Sequence, residues 1–138
     1  MLANQDAEHE ETAPEAPHLV ISKLTCSLVG TSQTITLLPG TLAHQAYRKA
    51  VVVEQFACNY GLNPVYHEHM RHGGLQVVGR DAAGEVRLVE LTAHRFFLAT
   101  LFLPQLSSSA ARPHPLIVAY LQAAQKFHTV QHRSEAKR

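Results

Sequence analysis

Cysteine is scarce in this chain of 138 residues: only Cys26 and Cys58 are present, too few for a disulfide framework. They form neither a Cys-x-x-Cys pair nor a Cys/His zinc spacing, so they read as reduced, free thiols. No apolar run approaches the length that spans a bilayer, and the N-terminus is acidic where a secretory signal is basic and then apolar. The expected compartment is therefore the cytoplasm, with no membrane partner. Aromatic residues make up 7% of the chain and the arginines are scattered, so the basic patch with interleaved aromatics that nucleic acid needs is missing. Residues 1–22 contain no Lys or Arg but carry Asp6, Glu8, Glu10, Glu11 and Glu15, whereas the end of the chain gathers Lys126, Arg133, Lys137 and Arg138. The net charge of +1 hides this polarity, and both ends read as solvated and flexible.

What is present is enough apolar material, 46% of residues, to bury one core. The expected organisation is an acidic, linker-like segment over 1–18, one domain over 19–127 and a basic tail over 128–138. Strands are expected at 21–28 and 33–38, the second closed by the Pro39-Gly40 turn signal. Thr41 can cap a short helix through Tyr47, and the β-branched run Val51-Val52-Val53 opens a strand over 50–58. Asn63-Pro64 is an N-cap followed by proline at the first helical position, and Gly73-Gly74 ends that helix. Strands over 75–78 and 85–91 flank Asp81-Ala82-Ala83-Gly84. The run from Phe96 to Phe102 is apolar almost without alternation, which predicts a strand covered on both faces. A C-terminal helix starts at Pro115, with an apolar stripe at Leu116, Tyr120, Ala123 and Phe127.

Phe102-Leu103-Pro104-Gln105, at the end of that apolar run, has the outline of a catalytic motif without its side chains. It is similar to the Phe-His-Pro-Glu of glutaminase domains of the CTP synthase kind, where histidine is the general base for a cysteine nucleophile and the carboxylate orients it. Other segments resemble that family in the same order. Leu38-Pro39-Gly40-Thr41-Leu42-Ala43 with Ala46-Tyr47 is similar to its Pro-Gly-Ser/Thr-Leu-Ala turn and helix. Val53-Glu54, Tyr60 and Asn63 match the ends of its Glu-Arg-His-Arg-His-Arg-Tyr-Glu-Val-Asn stretch. Val89-Glu90-Leu91 with His94-Arg95-Phe96-Phe97, and Arg112-Pro113-His114-Pro115-Leu116, resemble two later motifs. The resemblance covers roughly residues 19–127. It implies an α/β fold, the C-terminal half of a flavodoxin-like class I glutamine amidotransferase domain, with a mixed sheet and flanking helices, and it calls for no cofactor.

Three departures bear on function. Leu103 has no titratable atom and Gln105 no charge, so the positions of base and orienting carboxylate are both altered. The family's arginine that clamps the glutamine carboxylate corresponds to Asn59, and a neutral amide cannot replace its charge-assisted, bidentate bonds. Glu54, Asn59 and Tyr60 are thus the positions of an altered substrate pocket. Finally, glutaminases carry the nucleophile on a Gly-x-Cys-x-Gly elbow, and neither Thr25-Cys26-Ser27 nor Ala57-Cys58-Asn59 has the flanking glycines. The segment from Asp6 to His18 resembles the linker after that elbow, so the chain is expected to begin about one helix beyond it. The expectation is a non-catalytic glutaminase-like module; the alternative is the C-terminal part of an enzyme whose elbow comes from an upstream segment or partner chain. An N-terminal half, or a second copy, is the expected partner.

The remaining reactive side chains have plainer readings. His67, His69 and His72 share one predicted helix, but their spacings do not stack like the i, i+4 pair of a zinc helix, and with Glu68 they read as a solvated face, so no metal site is expected. His44, His94 and His114 read as turn or helix residues with structural partners. Ser107-Ser108-Ser109 reads as a polar loop, and Cys58 as a small buried hydrophobe.

Overall fold

The computed structural model describes residues 6–135. A five-stranded antiparallel sheet forms the body. Its strands are β3 (Thr31–Leu37), β4 (Val51–Phe56), β6 (Leu75–Asp81), β7 (Val86–Leu91) and β8 (Leu98–Thr100), in the spatial order β4-β3-β6-β7-β8. A smaller mixed sheet joins β1 (Glu8–His9), β2 (Leu19–Lys23) and β5 (Tyr60–Leu62), with β1 parallel and β5 antiparallel to β2. Helices α1 (Leu42–Tyr47), α2 (His67–His72) and α3 (Pro115–Glu135) complete the α/β arrangement.

Local chemistry sets most of these elements. Strand β4 alternates, with Val52, Glu54 and Phe56 buried and Val51, Val53 and Gln55 facing out. The Thr41 hydroxyl accepts from His44 N (3.2 Å) and donates to Leu38 O (2.7 Å), so α1 starts where the sequence predicts. Asn63 Oδ1 accepts from Val65 N (3.1 Å) while its Nδ2 donates to Leu19 O (2.9 Å), tying the start of a 3₁₀ turn over Pro64–Tyr66 to β2. That turn leads directly into α2. Gly79 sits at a bulge of β6, where a Cβ would lie 2.8 Å from Leu88 Cβ; only glycine fits that approach.

The core gathers Ile35, Leu37, Phe56, Val78, Leu88 and Phe102, each at most 2% exposed. Phe56 and Phe102 meet edge to face at 5.9 Å, which fixes the end of the apolar run against β4.

Three expectations are corrected. The run from 96 to 102 is not a strand covered on both faces: only Leu98–Thr100 pairs, with β7 on one side, and it is the last strand of the sheet. Its residues are half-buried, exposed and half-buried in turn; Phe102 is the buried member of the run, with Leu98 and Leu101 packed against the core. An apolar run predicts burial, but the number of neighbouring strands decides it. The strand expected over 21–28 stops at Lys23, because Leu24 N turns to Asn59 O (2.7 Å) and Leu28 N to Cys58 O (3.2 Å); β2 and β3 consequently lie in different sheets. The stripe of α3 is buried only at Leu116. Tyr120 leans on Phe96 and Phe127 lies under Arg95, 3.9 Å from its guanidinium carbon, because α1 is the helix's main packing partner and 21 residues outrun it. Parts of the outer segments carry structure too: Glu8–His9 forms β1, and α3 continues through Glu135. Lys137 and Arg138 of the expected basic tail lie outside the described residues.

Candidate functional site

The corner at 103–105 sits beside β4. Leu103 N donates to Gln55 O (3.1 Å), and Pro104–Ser107 forms a 3₁₀ turn with Leu103 as its N-cap. Leu103 is half-buried and Gln105 is exposed. Leu103 has no group that could accept a proton from a thiol, and Gln105 has no charge to stabilise an imidazolium.

The other pocket positions separate. Asn59 is exposed in the connection from β4 to β5. Tyr60 begins β5 and stacks, tilted, at 5.1 Å from the His9 ring. Glu54 points inward and is 3% exposed. The thiol of Cys58 contacts the backbone of Tyr60, its Sγ 3.2 Å from the carbonyl and 3.4 Å from the N–H. Cys26 is exposed between β2 and β3. Neither cysteine stands on a strand-to-helix turn, and among the described residues Arg48 is the one non-glycine with positive φ. The strained geometry of a nucleophile elbow is absent from both.

Glu54 belongs instead to a buried polar cluster. Tyr47 Oη donates to Glu54 Oε1 (2.5 Å), and His114 Nε2 lies 3.0 Å from the same oxygen and 3.2 Å from the tyrosine hydroxyl. Leu116 N donates to His114 Nδ1 (3.2 Å), which assigns the ring proton to Nε2 and makes His114 a cap for α3. Burial, then the bond to Glu54 and its charge, raise the Tyr47 pKa far above the usual tyrosine range. The cluster holds the end of α1, the middle of β4 and the start of α3 together. It also lines a cleft of about 540 Å³ that Lys49 and Arg112 border. Glu54 and His114 were both legible as individual residues in the sequence, but nothing in the sequence joins positions 60 residues apart.

A buried ionic pair escaped the sequence reading. Arg87 Nε and Nη2 bond Asp81 Oδ2 at 2.9 and 2.7 Å, and the Asp81 Oδ1 accepts from Ala83 N and Glu85 N. Asp81 thereby closes the β6–β7 turn and neutralises a guanidinium lying over the Phe56 ring at 5.8 Å. An Asp opening a turn with an Arg six residues later was the available signal.

Two of the α2 histidines are engaged locally, His72 Nδ1 lying 2.8 Å from Glu68 O and the His69 ring 5.9 Å from Tyr66, whereas His67 Nε2 is buried without a hydrogen-bond partner. His94 turns its Nδ1 to the backbone of Phe96, and His44 N–H serves the Thr41 cap. Among the described residues no group of three or more His, Cys, Asp or Glu side chains converges as a metal site would require. None of the described helices is long and apolar enough to cross a membrane.

The fold and this arrangement of β4, the 103–105 corner and α3 define a class I glutamine amidotransferase-like domain. The structure superposes on the glutaminase domain of Trypanosoma brucei CTPS with bound acivicin at a TM-score of 0.84, with 26% identity over 91% of this chain and 53% of that one. A putative GMP synthase subunit of Thermoplasma acidophilum shares the fold at a TM-score of 0.62, with 9% identity, 81% of this chain and 51% of that one. No family model matches the chain. By sequence it is 32% identical over 134 residues to the CTP synthase of Pyrobaculum calidifontis, and 35% identical over 132 residues to that of Carboxydothermus hydrogenoformans. These alignments take in 90% and 88% of this chain, respectively, and it spans about a quarter of the length of each relative. Over most of its length the chain is thus related to the glutamine-hydrolysing domain of CTP synthases.

Proposed function

We propose that the chain is a non-catalytic, glutaminase-like module that keeps the frame of the family's glutaminase fold without its chemistry. The observation that carries this reading is the corner beside β4, where Leu103 and Gln105 stand at the positions of base and carboxylate. Asn59 adds to it, because a neutral amide in an exposed connection offers a substrate carboxylate no charge-assisted bond. The local geometry of Cys26 and Cys58 supports it further, since neither stands on a strand-to-helix elbow. A cytoplasmic location and a pyrimidine-nucleotide context go with this reading, as does the absence of nucleic-acid and membrane partners.

Titration of the full chain with glutamine, followed by NMR, tests the binding half of the proposal. No saturable shift is expected at Asn59, Tyr60 or Leu103. Saturable shifts confined to those residues overturn it.

A second reading is favoured by one observation: the chain spans 53% of the trypanosomal glutaminase chain. In that reading an upstream segment or a partner chain supplies a nucleophile elbow and covers exposed apolar positions such as Val51, Val53 and Phe97, 51%, 65% and 41% exposed. Association with such an N-terminal half, or with a second copy, is the partner we propose; sedimentation of the chain at micromolar concentration as a monomer with a sharp thermal transition contradicts it.

A further inference from the structure

The outer edge of β4 presents backbone groups that the glutaminase reading leaves unused. In the ladder with β3, Leu37 N donates to Ala50 O (2.8 Å), which sets the phase of the pairing. Antiparallel pairing alternates, so Val52 and Glu54 turn their N–H and C=O groups to β3, while Val51, Val53 and Gln55 turn theirs outward. Leu103 N takes the outward Gln55 O (3.1 Å), in agreement with that phase. Because β4 is the first strand of its sheet, the N–H and C=O of Val51 and of Val53 face no further strand. Among the described residues no loop or side chain bonds them either.

The cleft of about 540 Å³ lies along this edge. Val51 and Val53 line it from β4, 51% and 65% exposed, and residues 112–115 line it from the segment before α3. Pro113 and Pro115 have no N–H to offer a ladder, so an incoming strand bonds to β4. Such a strand lies about 4.7–4.9 Å from its neighbour. A single extended chain suits the cleft better than the sheet of a second copy, which would have to bring its own strands past 112–115.

Charge narrows the partner further. Lys49 and Arg112 border the cleft, both exposed, and neither is in an ion pair among the described residues. Glu54 is the one acidic residue in the lining; it is 3% exposed, and its Oε1 is held by Tyr47 and His114. The accessible charge is therefore positive. We propose that the edge of β4 takes up an extended acidic peptide of a partner protein as an added strand. Its backbone bonds Val51 and Val53, its apolar side chains lie on the two valines, and its carboxylates face Lys49 and Arg112. The proposal needs no upstream segment and does not depend on glutamine: the glutamine titration reads Asn59, Tyr60 and Leu103, so the two readings fail separately.

The test adds a capped peptide of alternating valine and glutamate to the full chain, followed by amide NMR and hydrogen exchange. Saturable shifts at Val51 and Val53 are expected, with exchange of those two amides slowed about tenfold or more. The same peptide N-methylated on the residues that face β4 keeps every side chain and loses the edge bonds, and should bind about tenfold more weakly. Lys49→Glu with Arg112→Glu, at exposed positions, should weaken the original peptide about as much. Equal binding of the N-methylated peptide, equal binding to the charge-reversed chain, shifts centred elsewhere, or no saturable shift at millimolar peptide overturns the proposal. Slowed exchange at Val51 and Val53 that grows with protein concentration in the absence of peptide assigns the edge to a second copy, and overturns the choice of partner.

Discussion

Two regions along β4 have met opposite fates. On the buried side, Glu54 keeps Tyr47 and His114 as partners and ties three elements together. On the open side, the corner at Leu103 and Gln105 and the connection at Asn59 carry neutral side chains, which the proposed reading sets at the positions of base, carboxylate and substrate clamp. The difference is one of cost. Removing one member of a buried polar cluster strands the others without water, whereas changing an exposed functional residue leaves folding nearly untouched. On the proposed reading, a glutaminase-like frame outlasts its activity.

Substitutions at the two regions should differ accordingly. Glu54→Ala takes the acceptor from the Tyr47 hydroxyl and leaves the His114 Nε2–H only the tyrosine oxygen, and should destabilise the fold by about 3 kcal/mol in urea unfolding. A loss below about 1 kcal/mol, the net worth of a single ordinary hydrogen bond, would put Glu54 on the same footing as the corner.

Tyr47→Phe removes one donor from the cluster and should cost about 1.5 kcal/mol at neutral pH. It also carries a pH signature. Burial and Glu54 raise the Tyr47 pKa in the fold, while the unfolded chain gives up that proton near the ordinary tyrosine value of 10.0. Above that pH the folded state binds more protons than the unfolded one, so stability should fall as pH rises past about 10. Melting temperatures between pH 8 and 11 should show this alkaline loss in the native chain and a smaller loss in Tyr47→Phe.

Asn63→Ala removes the cap of the 3₁₀ turn before α2 and the bond to Leu19 O, and should cost about 1 kcal/mol. An unchanged melting temperature would show that the cap does not contribute. The smallest effect belongs to the exposed residue of the corner: Gln105→Glu should shift stability by less than about 0.5 kcal/mol, the usual range for surface substitutions. A large loss there would erase the distinction between the two regions.

Much of the local structure was legible because its causes are local. The Thr41 cap, Asn63-Pro64 and the turn at Asp81–Gly84 each act within a few residues, and each lies where the sequence puts it. Alternation in β4 was readable for the same reason. What depends on neighbours far along the chain was not. The apolar run before Leu103 could not reveal that it pairs on one side only, nor could the strand at 19–23 reveal that it pairs with β5 and not with β3. The neutral residues Leu103 and Gln105 were readable as residues, while the bonds of Glu54 to Tyr47 and His114 were not.

The direct measure of a frame kept without its chemistry is ammonia release from glutamine by the purified chain, with and without ATP, UTP or GTP. No release above the blank is expected, and restoring Leu103→His and Gln105→Glu should add none, because neither Cys26 nor Cys58 is held as a nucleophile. Release above the blank that disappears on Cys26→Ala or Cys58→Ala would contradict the account.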